Sequence, residues 1–300
     1  MKHTISVTVL LLIFFVLAQL IGLGIINLGI NENVDANGII SFEFKETAIG
    51  ERPDLQPGMS FISIIVAILV GTSLALVLIR FKLLKVWRIW FFLAIVIAMT
   101  ISLGTLLPSL IAFFVALVLT ILKMFKPGII THNITELLIY PGIALLFVPI
   151  LNVFWMFMLL LLISAYDMYA VWKSKHMIKL AKFQAKSQTF AGLLIPYQRI
   201  KKVGKKTKGK VKKTEVQNAI LGGGDIAFPM LFAGVVMSDM IFNQNITRVL
   251  SFIYTLPIII CVTIALALLF FKGKKDRYYP AMPFLTLGCV AGYVILRILL

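Results

Sequence analysis

A chain of 300 residues that is 60% hydrophobic and 14% charged, with a mean hydropathy of +1.01, is not a soluble globular protein, in which roughly a quarter of residues are charged. The net charge of +17 does not mark a nucleic-acid binder, because the basic residues fall in short stretches between apolar runs, where they set membrane topology. A spanning helix needs about 20 apolar residues, and the sequence predicts an all-α, multi-pass protein of the cell membrane with nine transmembrane helices. These are 5–29, 59–80, 89–106, 109–124, 136–151, 153–172, 216–240, 247–271 and 281–300.

The first segment follows Lys2, is too long for a signal-peptide core and lacks a small-x-small cleavage site, so it reads as a retained helix. Residues 30–58 hold six of the twelve acids and only Lys45 and Arg52 as bases. The third and fourth spans join tightly between Gly104 and Pro108, and the fifth and sixth meet near Pro149 and Asn152. Asn133 and Asn245 each open an Asn-x-Thr glycosylation pattern, the first of them on the inner side. Basic loops at 80–88, 123–135, 173–215 and 272–280 fall on one side of a nine-span chain, which places the N-terminus inside and the C-terminus outside.

Three parts follow: spans one to six over 1–172, a basic cytoplasmic loop over 173–215, and spans seven to nine over 216–300. The basic loop carries fourteen Lys or Arg between 173 and 213 and no acid. Its stretch 201–213 is expected to be disordered, and 183–200 to include an amphipathic piece lying on lipid headgroups. Cys261 and Cys289 read as small buried hydrophobes. His3, His132 and His176 flank the spans and form no metal-ligand cluster, so neither metal nor cofactor is expected.

Asp167 and Asp225 stand out as the acids deep inside apolar segments, where a carboxylate costs at least a few kcal/mol and is usually functional. Asp167 follows Tyr166 near the inner end of span six, and Asp225 closes Gly222-Gly223-Gly224-Asp225 near the inner start of span seven. Two antiparallel neighbours thus carry acids at matching depth. Two carboxyls in a low-dielectric site cannot both ionise: one keeps its proton while the other acts as base, and the pair titrates as a unit. That is the arrangement that activates water against a peptide carbonyl. Three glycines permit close approach of a substrate or another backbone. Pro280-Ala281-Met282-Pro283 opens span nine with two prolines, which delay helix formation at the level of the aspartates.

These elements resemble the presenilin and signal peptide peptidase family of intramembrane aspartyl proteases. That family carries Tyr-Asp on its sixth span, Gly-x-Gly-Asp on its seventh and Pro-Ala-Leu at its ninth. The size and the topology look most like an archaeal presenilin homologue. The resemblance implies that Asp167 and Asp225 are catalytic. It also implies that Tyr166, Gly222, Gly223, Gly224, Pro280, Ala281, Met282 and Pro283 shape the site or bind substrate. Met282 stands where the family has leucine, a nearly volume-conserving change. The implied partners are transmembrane-helix substrates, which must unwind locally to be cut, and membrane lipids. Two other readings use the same residues. A prepilin-type peptidase shares Gly-x-Gly-Asp but typically has a lysine where this chain has Ala227. An ion or proton channel or transporter would use the pair as a relay.

Overall fold

The structure is a computed structural model that describes residues 5–34, 40–50, 56–126, 128–174, 189–199, 216–273 and 279–300. The nine helices present among the described residues are α1 (Ile5–Leu28), α2 (Pro57–Arg80), α3 (Leu84–Gly104), α4 (Ser109–Phe125), α5 (Ile129–Phe147), α6 (Val153–Tyr169), α7 (Gly223–Gln244), α8 (Arg248–Lys272) and α9 (Met282–Leu299). Eight are long and apolar enough to cross a membrane, α6 together with the π-helical turn Ala170–Ser174 that continues it. The remaining one, α4, has 17 residues, or about 26 Å of helix.

Local chemistry explains the boundaries. The fifth helix starts at Ile129 rather than 136, released by an extended Gly128, and gives way at Pro149 to the 3-10 turn Val148–Ile150. The third starts at Leu84 rather than 89, because the long side chains of Lys85 and Arg88 can reach the interface from within a helix. Asn152 restarts the chain as N-cap of α6, its side chain accepting the Trp155 N–H at 2.9 Å. Asn245, in the left-handed conformation, closes α7.

Four strands were not foreseen. Strands β1 (Ile30–Val34) and β2 (Ile40–Phe44) form an antiparallel hairpin in the acidic loop, and Phe44 stacks on Phe242 of α7 with ring centroids 4.9 Å apart. Strands β3 (Gly192–Arg199) and β4 (Val216–Gly222) pair antiparallel, from Gly192 opposite Gly222 to Arg199 opposite Val216. The start expected for the seventh span, 216–222, is therefore a strand, and helix begins only at Gly223. Within the expected amphipathic piece, Gly192–Arg199 is likewise a strand; residues 183–188 and 200–213 lie outside the described residues.

Side-chain contacts give the sense of the helices. Positions 22 and 234 of α1 and α7 face Met230 and Ile26 respectively, so these two run parallel. Gly223 meets Tyr140 and Gly234 meets Val148, so α5 runs the same way. Asp167 meets Met282 and Leu160 meets Thr286, so α6 and α9 are antiparallel. Gly288 and Gly292 let α9 lie backbone against backbone along Val262 and Ile258 of α8, a small-xxx-small interface. The end of α6 and the starts of α7 and α9 thus meet at one end of the bundle, and the β1–β2 hairpin lies at the other. At the centre is α7, in which every residue from Pro229 to Ser238 is buried, whereas α2 buries only Ser60, Ile64, Ala75 and Leu78. The exposed Ile62, Val66, Leu69 and Val70 of α2 form a surface suited to lipid.

Candidate active site

Asp167 lies in the last turn of α6 and is 7% exposed. Its Oδ2 accepts the backbone N–H of Met282 at 3.1 Å, with the Ala281 amide beside it. Those amides are free to point outward because a helix start leaves its first N–H groups without intrahelical partners, and Pro283, which has none to offer, occupies the first turn at no cost. One turn earlier, the Ser164 hydroxyl lies 2.7 Å from that of Thr286, which also faces the Leu160 carbonyl. Two consecutive turns of α6 therefore hold the first turn of α9. Tyr166 is half-buried; as the immediate neighbour of Asp167 it points about 100° away around the helix.

Asp225 is the third residue of α7, in the first turn, where backbone N–H groups and the helix dipole concentrate positive potential. The three glycines before it differ in surroundings. A Cβ on Gly222 would lie 3.2 Å from Asp225 Oδ2. One on Gly223 would lie 3.1 Å from both the Tyr140 ring and its hydroxyl. One on Gly224 would meet only Phe228, at an ordinary 3.6 Å, and Gly224 is exposed. Asp225 and Ala281 line a common cleft of about 80 Å³, with Leu221, Leu269, Phe270 and Tyr279. Pro280 is buried and Pro283 partly so. The segment Ala281-Met282 thus relates to both acids: its Met282 amide holds Asp167, and its Ala281 shares a cleft with Asp225.

The β3–β4 sheet leads the chain into this site. Leu193, Ile195, Ala219 and Leu221 are buried on one face, and Ile220 is exposed on the other. The outer edge of β3 is occupied by side chains of α5. Asn133 donates to the Leu194 carbonyl at 2.9 Å and accepts its N–H at 3.0 Å. His132 Nε2 is 2.8 Å from the Gly192 carbonyl, and Glu136 Oε2 accepts the Gly192 N–H at 3.1 Å. Strand β4 has β3 as its only strand partner among the described residues.

Glu136 corrects one expectation: Asp167 and Asp225 are not the only acids deep in apolar helix. Glu136 is fully buried in α5, paired with the 5%-exposed Lys123 of α4 and hydrogen-bonded by Tyr140. Starting the fifth span at 136 had put it at an interface. The spacing of His132, Glu136 and Tyr140, four residues apart on one helical face, was the signal available. Asn133, which fits a glycosylation pattern, is 5% exposed and spends its amide on β3. Cys261 and Cys289 are free thiols, the second buried.

The comparisons with other proteins agree. The family described as "Signal-peptide peptidase, presenilin aspartyl protease" matches residues 36–300. Two solved structures of a presenilin family intramembrane aspartate protease, in space groups C222 and P2, are similar at 18% identity and a TM-score of 0.61 each. The first covers 98% of this chain and 99% of its own, the second 97% of each. No curated protein matches. At that identity the structural likeness establishes the fold. The family match reaches from residue 36 to the last residue and takes in the Tyr-Asp, Gly-Gly-Gly-Asp and Pro-Ala-Met elements. The chain therefore belongs to the signal-peptide peptidase and presenilin family of aspartyl proteases, and is a multi-pass membrane aspartic endopeptidase.

Proposed function

We propose that Asp167 and Asp225 are the catalytic dyad, and that with an activated water they hydrolyse peptide bonds of substrate transmembrane helices. The observation that carries this reading is the Ala281-Met282 segment, which contacts Asp167 through an amide and lines one cleft with Asp225. One carboxyl, unprotonated, removes a proton from water as the water attacks the scissile carbonyl. The other, protonated, hydrogen-bonds the carbonyl oxygen and then supplies a proton to the leaving amine.

A helix shields its own peptide bonds, so the substrate must unwind around the cut. The exposed backbone groups of an unwound segment need partners in a membrane. The edge of β4 away from β3, which has no strand partner among the described residues, offers them by strand addition, and β4 runs directly into Gly222-Gly223-Gly224-Asp225. Gly224, exposed beside Asp225, leaves room for the substrate backbone, while Tyr166, Gly222, Gly223, Pro280 and Pro283 shape the walls. The distribution of basic loops supports a cytoplasmic location for this end of the bundle, with the N-terminus inside and the C-terminus outside.

The test is cleavage of a synthetic single-span helical peptide by the purified full chain, with products identified by mass spectrometry. Asp167→Asn and Asp225→Asn are each expected to lower the rate at least a thousandfold, about 4 kcal/mol of transition-state stabilisation. Either variant cutting at the wild-type rate overturns the dyad.

A further inference from the structure

We infer that Glu136, held by Lys123, is a positioning residue for peptide hydrolysis: it anchors β3 and Tyr140, and through them the turn that carries Asp225. The inference rests on the dyad reading above. A fully buried carboxylate in a membrane helix is costly, and an ion pair alone would not explain its orientation. Glu136 turns one oxygen to Lys123 and the other to two groups that touch the catalytic turn.

The first route is through β3. Glu136 Oε2 accepts the Gly192 N–H at 3.1 Å, and Gly192 stands directly across the sheet from Gly222. At this position the backbone has φ +144°, and a Cβ would lie 2.2 Å from the Leu221 carbonyl oxygen, so only glycine brings the strands this close. The residue before it, Ala191, accepts the Gly223 N–H at 3.3 Å. The second route is through Tyr140. Its hydroxyl donates to Glu136, and its ring and hydroxyl fill the space beside Gly223. Gly222 and Gly223, the residues that set the height and direction of Asp225, are therefore clamped from two sides, and both sides end at one carboxylate. His132 completes the anchor: its Nε2 is 2.8 Å from the Gly192 carbonyl and 3.8 Å from Glu136 Oε1.

Two double variants separate this role from general support of the fold, because both remove the buried charges. Lys123→Met with Glu136→Gln keeps a carbonyl oxygen for the Gly192 N–H and the Tyr140 hydroxyl. Lys123→Met with Glu136→Leu does not. With the synthetic single-span peptide, the leucine variant is expected to show a kcat at least about tenfold below the glutamine variant. Its KM should change less than about threefold, since binding along β4 is kept, and its cuts should spread to neighbouring bonds. Amide hydrogen exchange at 191–194 and 220–223 should be at least about tenfold faster in the leucine variant only. Equal kcat, cut position and exchange in the two variants overturn the proposal. Should the leucine variant not fold, Tyr140→Phe keeps the ring against Gly223 and removes only the hydroxyl. It is expected to lower kcat about threefold to tenfold, and no fall overturns the proposal. Asp225→Asn distinguishes the two levels: if that variant cuts normally the dyad fails, while the exchange measurement, which needs no cleavage, still decides the anchor.

Discussion

The three glycines before Asp225 offer a sharp test, because the same substitution should have three different outcomes at adjacent positions. Gly223→Ala places a methyl 3.1 Å from the Tyr140 ring and hydroxyl and 3.5 Å from the Ala191 carbonyl oxygen. Tyr140 is 3% exposed and tethered to Glu136, so the ring cannot swing aside without breaking a buried hydrogen bond. Overpacking of this kind costs about 1–3 kcal/mol, a fall of roughly 2–6 °C in the unfolding midpoint at about 2 °C per kcal/mol for a large domain. Gly224→Ala meets only Phe228 at 3.6 Å, and its backbone is helical. There alanine should stabilise by about 0.5–1 kcal/mol, and any lost cleavage should show as raised KM, because the methyl occupies the substrate's side. Gly222→Ala sits at φ −64°, ψ 145°, which alanine adopts freely, so stability should hold. Its methyl, 3.2 Å from Asp225 Oδ2, displaces the carboxylate by a few tenths of an ångström. With a 1 Å misplacement worth about a hundredfold, this should lower kcat roughly threefold to tenfold. Scanning fluorimetry in detergent and steady-state cleavage of a single-span peptide read these separately. A Gly223→Ala protein as stable as the wild type, or a Gly224→Ala protein destabilised by more than about 1 kcal/mol, would refute the reasoning.

Other expectations follow from the same contacts. Lys123→Ala strands Glu136 as a lone buried carboxylate and should destabilise by about 3–5 kcal/mol, seen as a lowered unfolding midpoint or loss of folded protein. Asn133→Leu leaves the Leu194 N–H and carbonyl without their side-chain partner, at about 1–3 kcal/mol for each orphaned group, and should speed amide exchange at Leu194. Gly292→Val drives a side chain into the α8 backbone, where an added Cβ alone would lie 2.4 Å from the Ile258 Cα, so α9 should lose its seat and the protein its stability. The cleavage rate should follow a bell-shaped pH profile, because the proposed dyad would work only with one proton between its two carboxyls. A rate that rises monotonically with pH would contradict a shared proton.

The elements that repeat a simple pattern were legible before any coordinates. Long apolar runs marked the helices, since the cost of unpaired backbone in a membrane leaves few other folds. Asp167 and Asp225 were singled out by the rarity of acids in such runs, and the Pro280-Ala281-Met282 segment by its prolines at a helix start. The ends of the helices were less legible. Residues 216–222 are as apolar as a helix start, and what makes them a strand is a partner, β3, whose paired residues lie 17 (Arg199 and Val216) to 30 (Gly192 and Gly222) positions earlier. Leu193, Ile195, Ala219 and Leu221 alternate as a buried face requires, but the pattern is too short to outweigh the adjoining apolar span. Glu136 was hidden for a related reason: one acid beside His132 and Asn133 reads as an interface until the helix is seen to begin at Ile129.

The sequence by itself therefore determined a multi-pass helical membrane protein and singled out the two aspartates and the Pro280-Ala281-Met282 segment, because hydrophobic length and the cost of buried charge are properties of single residues and their near neighbours. Only the tertiary structure decided that the Met282 amide meets Asp167, that β3 and β4 pair, and that Lys123, Glu136 and Tyr140 converge beneath Gly192 and Gly223. Those contacts join residues up to 115 positions apart, and hydrogen-bond direction and close approach exist only once the helices have packed.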